Sequence, residues 1–229
     1  MSSWRRYAIY YTATGALAEF GASWLGWDIA SGREQPYPRI PDMPADRIAE
    51  ITSSPHRYGF HATLKPPFAL ASDSSESSLR NNLAALAKGQ PAVAIPGGLR
   101  LSVLDGFPAL TCADHAPLTA LASRLVSESD HHRAPLGEAD RARRNPDRLT
   151  SRQRENLDRW GYPWVMDEFR FHMTLGNRLP APDAERVLAA LRPRLIPLLP
   201  DPHVIESVTL AGEDMQGRFH MIERFSLTG

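Results

Sequence analysis

Phe60-His61-Ala62-Thr63-Leu64 recurs with one change as Phe171-His172-Met173-Thr174-Leu175. Side chains on a β-strand alternate between faces, so in each copy the His and Thr share one face. The Phe, the central residue and the Leu share the other. Each copy therefore predicts an amphipathic strand, with an apolar face for a core and an imidazole beside a hydroxyl on the polar face. With 8 His and 8 Phe in 229 residues, Phe-His-x-Thr-Leu arises by chance on the order of 0.001 times per chain, so its double occurrence points to two equivalent half-sites.

Around these strands the chain reads as alternating strands and helices. Arg5–Tyr11 is aromatic and β-branched and predicts a first strand; Gly15–Leu25, with Leu17, Phe20, Trp24 and Leu25 at helical spacing, predicts a helix. Gly32, Pro36, Pro38 and Pro41 make the stretch from Trp27 to Met43 a loop, and Pro44–Thr52 a short helix follows it. Pro66-Pro67 is expected to stop the first motif strand. Asp73 and Glu76 suggest a capping box for a helix with Leu79, Leu83 and Leu86 inward and Gly89 as its stop. Strands are expected at 92–95, 99–104 and 107–112, then a helix over Leu118–Val126. Between Arg133 and Arg154 lie seven arginines offset by Glu138, Asp140 and Asp147, which reads as a solvated helical hairpin laced with ion pairs, the alternative being that a few of them face the site as anion anchors. Thr150 and Gln153 suggest a second capping box, with the helix running to Trp160 and stopped by Gly161. The second motif strand is placed at Asp167–Leu175, a helix at Pro182–Leu195, and two closing strands at His203–Leu210 and Arg218–Leu227.

The order of elements repeats. Each half has a strand, helical material, a motif strand, a helix and one or two further strands, with approximate lobes at 1–106 and 107–229. The expected fold is α+β: one duplicated, bilobal domain over 1–229, with two antiparallel sheets around a central cleft and helices packed outside.

Hydrophobic residues at 42% and charged residues at 23% are ordinary for a soluble globular chain. Basic and acidic residues balance at 26 each, which argues against long-range attraction to bulk nucleic acid or an anionic membrane. The one cysteine, Cys112, excludes an intramolecular disulfide and an all-cysteine metal cage. It lies in the apolar run 107–112 and reads as a buried, inert thiol. The first residues lack an apolar signal core and no stretch reaches membrane-spanning length, so a cytoplasmic location is expected.

If the motif strands face one another, His61 and His172 flank a common point. Histidine titrates near neutrality, so one imidazole can be neutral while the other is protonated. Displacement at phosphorus needs that combination: a base to activate water and an acid for the leaving oxygen. Thr63 and Thr174 would donate to the non-bridging oxygens. Strand parity adds Lys65, two beyond Thr63, and Arg170, two before His172; Arg57 shares the parity but precedes regular strand. No cofactor or metal is called for. The chain has no His-Glu-x-x-His element, and the adjacent His131-His132 reads as a pair of solvated turn residues.

The paired His-x-Thr-Leu strands in a duplicated α+β chain resemble the two-histidine phosphoesterase superfamily. The longer runs Arg57–Lys65, Arg152-Gln153, Arg159–Pro163 and Glu168–Leu175 are similar to a bacterial branch of it often encoded beside phosphonate-utilisation genes. The resemblance implies a bilobal fold with a concave cleft, metal-free opening of a cyclic phosphodiester to a monoester, His61 and His172 as the catalytic pair, and Thr63 and Thr174 as phosphate-binding hydroxyls. It implies a small phosphorylated sugar or nucleotide as substrate, without naming it. Two other readings stand beside it: a hydrolase or ligase of RNA ends, disfavoured by net neutrality, and a non-catalytic module binding a phosphoryl ligand. Oligomeric state is not legible.

Overall fold

The computed structural model describes residues 4–113 and 116–229. Its frame is a seven-stranded sheet ordered β11-β10-β1-β4-β8-β7-β6. These strands span Arg6–Tyr11 (β1), Ala62–Phe68 (β4), Arg100–Leu104 (β6), Phe107–Thr111 (β7), His172–Thr174 (β8), Ser207–Glu213 (β10) and Phe219–Ser226 (β11). All neighbouring pairs are antiparallel. Two short pairs stand apart: β2 (Trp27–Asp28) with β3 (Arg33–Glu34), and β5 (Val93–Ile95) with β9 (His203–Ile205). The helices are α1 (Gly15–Leu25), α2 (Ala45–Thr52), α3 (Glu76–Lys88), α4 (Ala116–Glu128), α5 (Glu138–Ala142), α6 (Ser151–Trp160) and α7 (Ala181–Leu195).

The α+β class stands, but the expected two sheets are one. The motif strands β4 and β8 pair directly, Ala62 with Met173, and so join the two halves at the centre. The halves also exchange strands. The C-terminal β10 and β11 extend the sheet from β1, while β6 crosses to pair with β7. A division at 106/107 therefore cuts the tight β6–β7 hairpin instead of parting the sheet. The reason is geometric: Asp105-Gly106, both at positive φ, form the two-residue turn that ties β6 to β7.

One face of the sheet carries the main core. Tyr7, Ile9, Leu64, Leu110, Met173 and Leu210 meet Leu17 and Trp24 of α1, Leu79 and Leu83 of α3, Leu118, Leu121 and Leu125 of α4, and Leu191 of α7. Trp24 fixes α1 to the second motif, its indole N–H donating to the Leu175 carbonyl at 2.6 Å. Phe60 lies on Gly21, where a Cβ would fall 2.1 Å from the Phe60 ring. On the opposite face the β1 side is roofed by a small cluster of Ala8, Tyr10, Ile29, Ala211 and Phe219. Among the described residues no such cluster covers the β7–β6 side of that face, which opens into cavities.

Several local expectations need correction. Ser75, not Asp73, caps α3, exchanging hydrogen bonds with Ser78; Ser75 has the extended conformation an N-cap requires. The first motif strand runs on through Pro66-Pro67 to Phe68, because the ladder to β1 is irregular there and the missing N–H groups fall at the shift. Only His172–Thr174 of the second motif is regular strand. His132 is buried, not solvated, with Nδ1 3.1 Å from Ser74 Oγ. The Thr150–Gln153 capping box and the left-handed Gly161 at the end of α6 match the reading, as does the buried Cys112. Among the described residues, no helix is long and apolar enough to cross a membrane.

Candidate active site

The pairing of Ala62 with Met173 dictates what lies on either side. In an antiparallel ladder the next residues along are also opposed, so His61 sits across from Thr174 and Thr63 across from His172. All four project from the face opposite the core. The result is a crossed quartet in which each histidine is neighboured by its own threonine and by the other motif's. Strand geometry places the two histidines diagonally, with Cα atoms about 7–8 Å apart.

The two imidazoles are held alike. His61 Nδ1 lies 2.9 Å from the Gly59 carbonyl, and His172 Nδ1 lies 2.8 Å from the Arg170 carbonyl. In each case the acceptor is two residues earlier. A carbonyl only accepts, so Nδ1 carries the hydrogen in each ring, and a neutral ring has its acceptor lone pair at Nε2. His61 Nε2 is 3.1 Å from Thr63 Oγ1, which donates to it. Gly59 makes this possible: its φ of +70° turns the carbonyl onto His61, and a Cβ there would meet Ile29 Cβ at 2.9 Å.

His61 is further confined by Tyr10, whose ring stacks on it with centroids 3.9 Å apart. That burial pushes the imidazole down to about 4, against the Gly59 carbonyl, which favours the protonated form; the nearby His172 adds to the lowering. His61 is thus the member held neutral near pH 7. Tyr10 itself is driven well above its ordinary value by burial.

Two cavities flank the quartet. One of about 300 Å³ is lined by Thr63, His172, Phe107, Tyr162, Trp164 and Arg178 among others. A second of about 260 Å³ contains His61, Thr174, Tyr58, Phe107, Asn177 and Arg178. Phe107 and Arg178 belong to both. Arg178 is exposed and has no hydrogen-bond or ion-pair partner among the described residues, which leaves a free cation between the half-sites.

The other expected cations are placed differently. Arg170 lines the first cavity and is paired with Asp105 at 2.5 Å. Arg57 lies on the single turn Pro55–Tyr58, where strand parity does not apply, and folds over the Tyr58 ring at 4.7 Å; it lines neither cavity. Lys65 is not at the site at all. The β1–β4 register passes from Tyr10–Thr63 to Ile9–Lys65, so two residues of β4 face one of β1. This bulge turns both Leu64 and Lys65 to the helix side. There Lys65, 1% exposed, donates to the Val126 carbonyl at 3.1 Å and sits 3.5 Å from Asp130. Burial brings its ammonium down to about 8, opposed by Asp130.

The arginines from 133 to 154 are mostly consumed by other contacts. Arg133 grips Asp130 and the Arg159 carbonyl, Arg141 pairs with Asp158, Arg152 with Asp167 and Glu155, and Arg144 stacks over Tyr162. The sequence reading gave Tyr10, Tyr162, Trp164 and Arg178 no role at the site. Tyr10 had a usable signal, since it faces the same way as Thr63 once β1 and β4 are known to be neighbours.

The register extends the quartet across the whole sheet. Arg100 pairs with Thr111, Thr111 with His172, Tyr10 with Thr63, Tyr10 with Thr209, and Thr209 with Arg224. With Thr63 opposite His172, one polar row spans all seven strands, bounded by an arginine at each end.

The chain is thus an α+β protein with a paired His-Thr site on the open face of its sheet. Residues 63–220 match the family described as "Protein of unknown function (DUF1045)", and the chain belongs to that family. It is similar to two curated proteins named ribose 1,5-bisphosphate phosphokinase PhnN. That of Janthinobacterium sp. (strain Marseille) is 36% identical over 94% of this chain and 49% of its own length. That of Laribacter hongkongensis (strain HLHK9) is 33% identical over 80% of this chain and 43% of its own. The chain spans about half the length of the curated relatives it matches. Among solved structures, E. coli LigT complexed with NADP+ and E. coli LigT complexed with phosphate each align over 100% of both chains, at 14% identity and a TM-score of 0.44.

Proposed function

We propose that this chain is a cyclic phosphodiesterase of the two-histidine type, opening a cyclic phosphate on a ribose to a monoester. The observation that carries the reading is the crossed quartet, with both imidazoles anchored through Nδ1 to a carbonyl. In this mechanism a water oxygen attacks phosphorus as the bond to one ribose oxygen breaks. Neutral His61 takes the water proton at Nε2, and protonated His172 delivers one to the departing oxygen, so one water is consumed and no net proton is gained. Thr63, Thr174 and Arg178 hold the non-bridging oxygens, where negative charge concentrates in the transition state.

A ribosyl cyclic phosphate is the substrate we favour over an RNA end. Zero net charge gives an RNA strand little to track along. The relatives' name concerns a ribose carrying phosphates, and ring opening of a ribosyl cyclic phosphate produces that kind of molecule. The kinase activity in that name is said of proteins twice this length. This chain has no Gly-Lys dipeptide, and so no phosphate-cradling loop of the Gly-x-x-x-x-Gly-Lys type. We therefore assign the hydrolytic role to this half and place the protein in the cytoplasm, acting on a small molecule without a metal.

The test is turnover by purified protein, with chelator present, of 2′,3′-cyclic nucleotides, ribose 1,2-cyclic phosphates and oligoribonucleotides with cyclic ends. Hydrolysis of a small cyclic phosphate that survives chelation supports the reading. Activity that needs added zinc overturns it, and activity confined to oligonucleotides, with a steep salt dependence, moves the assignment to RNA ends.

A further inference from the structure

The polar row across the sheet ends in an arginine on each side, and the two ends are built differently. At the β11 end Arg224 is tied down: Nη2 donates to Thr12 Oγ1 at 2.9 Å and to the Ala13 carbonyl at 3.3 Å. At the β6 end Arg100 is exposed and has no hydrogen-bond or ion-pair partner among the described residues. It borders a third cavity of about 310 Å³, together with the polar Ser102, Thr111 and Arg170 and the apolar Leu104, Cys112 and Phe171. Leu104 and Arg170 also line the cavity beside His172, so the two spaces adjoin.

The chemistry of this third cavity is that of an anion site. Arg100 supplies a free guanidinium. Ser102 Oγ and Thr111 Oγ1 lie 2.9 Å apart, and one hydroxyl of the pair keeps its hydrogen for another acceptor. Arg170 is held by Asp105, but both side chains are about half exposed. Solvent screens such a pair, and an incoming dianion competes for the guanidinium. Two planar guanidiniums beside a hydroxyl are well matched to a phosphate monoester. A lone cyclic phosphate at the His61–His172 seam has no use for them.

We propose that this cavity is a second phosphate subsite, taking a phosphate monoester borne by the same substrate whose cyclic phosphate sits at the seam. This rests on the phosphodiesterase reading and narrows it to sugars phosphorylated at two positions. Arg100 and His172 lie two strands apart in one row, on either side of Thr111, so their Cα atoms are about 10 Å apart. The gap suits phosphates at opposite ends of a single ribose.

Two measurements separate this proposal from the reading it rests on. The first compares kcat/KM for ribose 1,2-cyclic phosphate with and without a 5-phosphate, in the wild type and in Arg100→Gln. The wild type should prefer the 5-phosphorylated compound by about 10-fold or more, mainly through KM, and Arg100→Gln should erase that preference. The second is calorimetry of adenosine 2′,5′-bisphosphate against adenosine 2′-monophosphate, which needs no turnover. Tighter binding of the bisphosphate that depends on Arg100 supports the subsite even if neither cyclic phosphate is hydrolysed, an outcome that would sink only the phosphodiesterase reading. Equal binding of the two probes, or a preference that Arg100→Gln leaves intact, overturns the subsite. So does an effect of Arg100→Gln confined to cyclic-ended oligonucleotides, which would make the cavity part of an RNA track.

Discussion

Ala62 and Met173 are partners across the β4–β8 seam, and their pairing sets each motif's histidine opposite the other motif's threonine. Neither motif is therefore a site by itself. On the proposed reading a phosphoryl group over the seam would meet one imidazole and one hydroxyl from each half, so the activity would need both histidines. His61→Ala and His172→Ala are each expected to lower turnover by about 10²–10⁴-fold. Thermal unfolding should move little, because neither ring belongs to the main core. Full activity in either variant would disprove the two-histidine mechanism.

The pH profile should carry the mark of Tyr10. A base works only when neutral, and burial beneath Tyr10 takes His61 down to about 4. The acid limb of kcat/KM should then lie well below pH 6.5, falling as pH drops toward about 4. Tyr10→Ala opens the ring to water and should move that limb up toward 6.5. Both limbs belong to the coupled pair of histidines, so the shift on substitution is the informative quantity. Stability follows the same sign. The unfolded His61 binds its proton near 6.5 and the folded one near 4, so its contribution is complete above 6.5 and is lost as pH falls through that window. Chemical denaturation of wild type and His61→Gln at pH 7 and pH 5 reads this directly: the wild type should lose more.

Lys65 provides a contrast inside the same motif. It is buried on the helix side of the bulge, and Asp130 keeps Arg133 as a partner when the ammonium is removed. Lys65→Met should leave kcat/KM within about 3-fold, because the ammonium lies on the helix side of the sheet, away from the quartet. A large loss confined to KM would instead return Lys65 to the phosphate site.

Arg178 and Arg57 can be told apart by kinetics. Arg178 stands free between the two cavities, whereas Arg57 is folded onto Tyr58 outside them. Arg178→Gln should reduce kcat/KM by about 10–100-fold, the scale of one charge-assisted hydrogen bond. Arg57→Gln should change it by less than about 3-fold. The reverse order of effects would show that the turn before Gly59 swings inward on binding.

What the sequence could and could not reveal divides along physical lines. The quartet was legible because alternation along a strand is a local rule, and His61, Thr63, His172 and Thr174 obey it. Lys65 failed under the same rule because a bulge resets parity, and a bulge is a property of two strands in register. The helices were legible from period and caps: Gly15–Leu25 and the Thr150 cap fall where expected. Strand order was legible only at the Asp105-Gly106 turn that joins β6 to β7; nothing in β10 announces β1 as its partner. Arg178 and Trp164 come to the site from irregular segments, where no periodicity points to a face.

The exchange of strands also orders the chain in time. The floor beneath His61 is β4 flanked by β1, and β1 is completed on its other edge only by β10 and β11, which end at Ser226. During synthesis the first motif therefore emerges long before the strands that close its half of the sheet. These contacts are among the most distant in sequence that the fold makes, and such contacts form late. A nascent or truncated chain can carry both motifs and still lack a finished site, so whatever chemistry the seam performs waits on β10 and β11 joining the sheet.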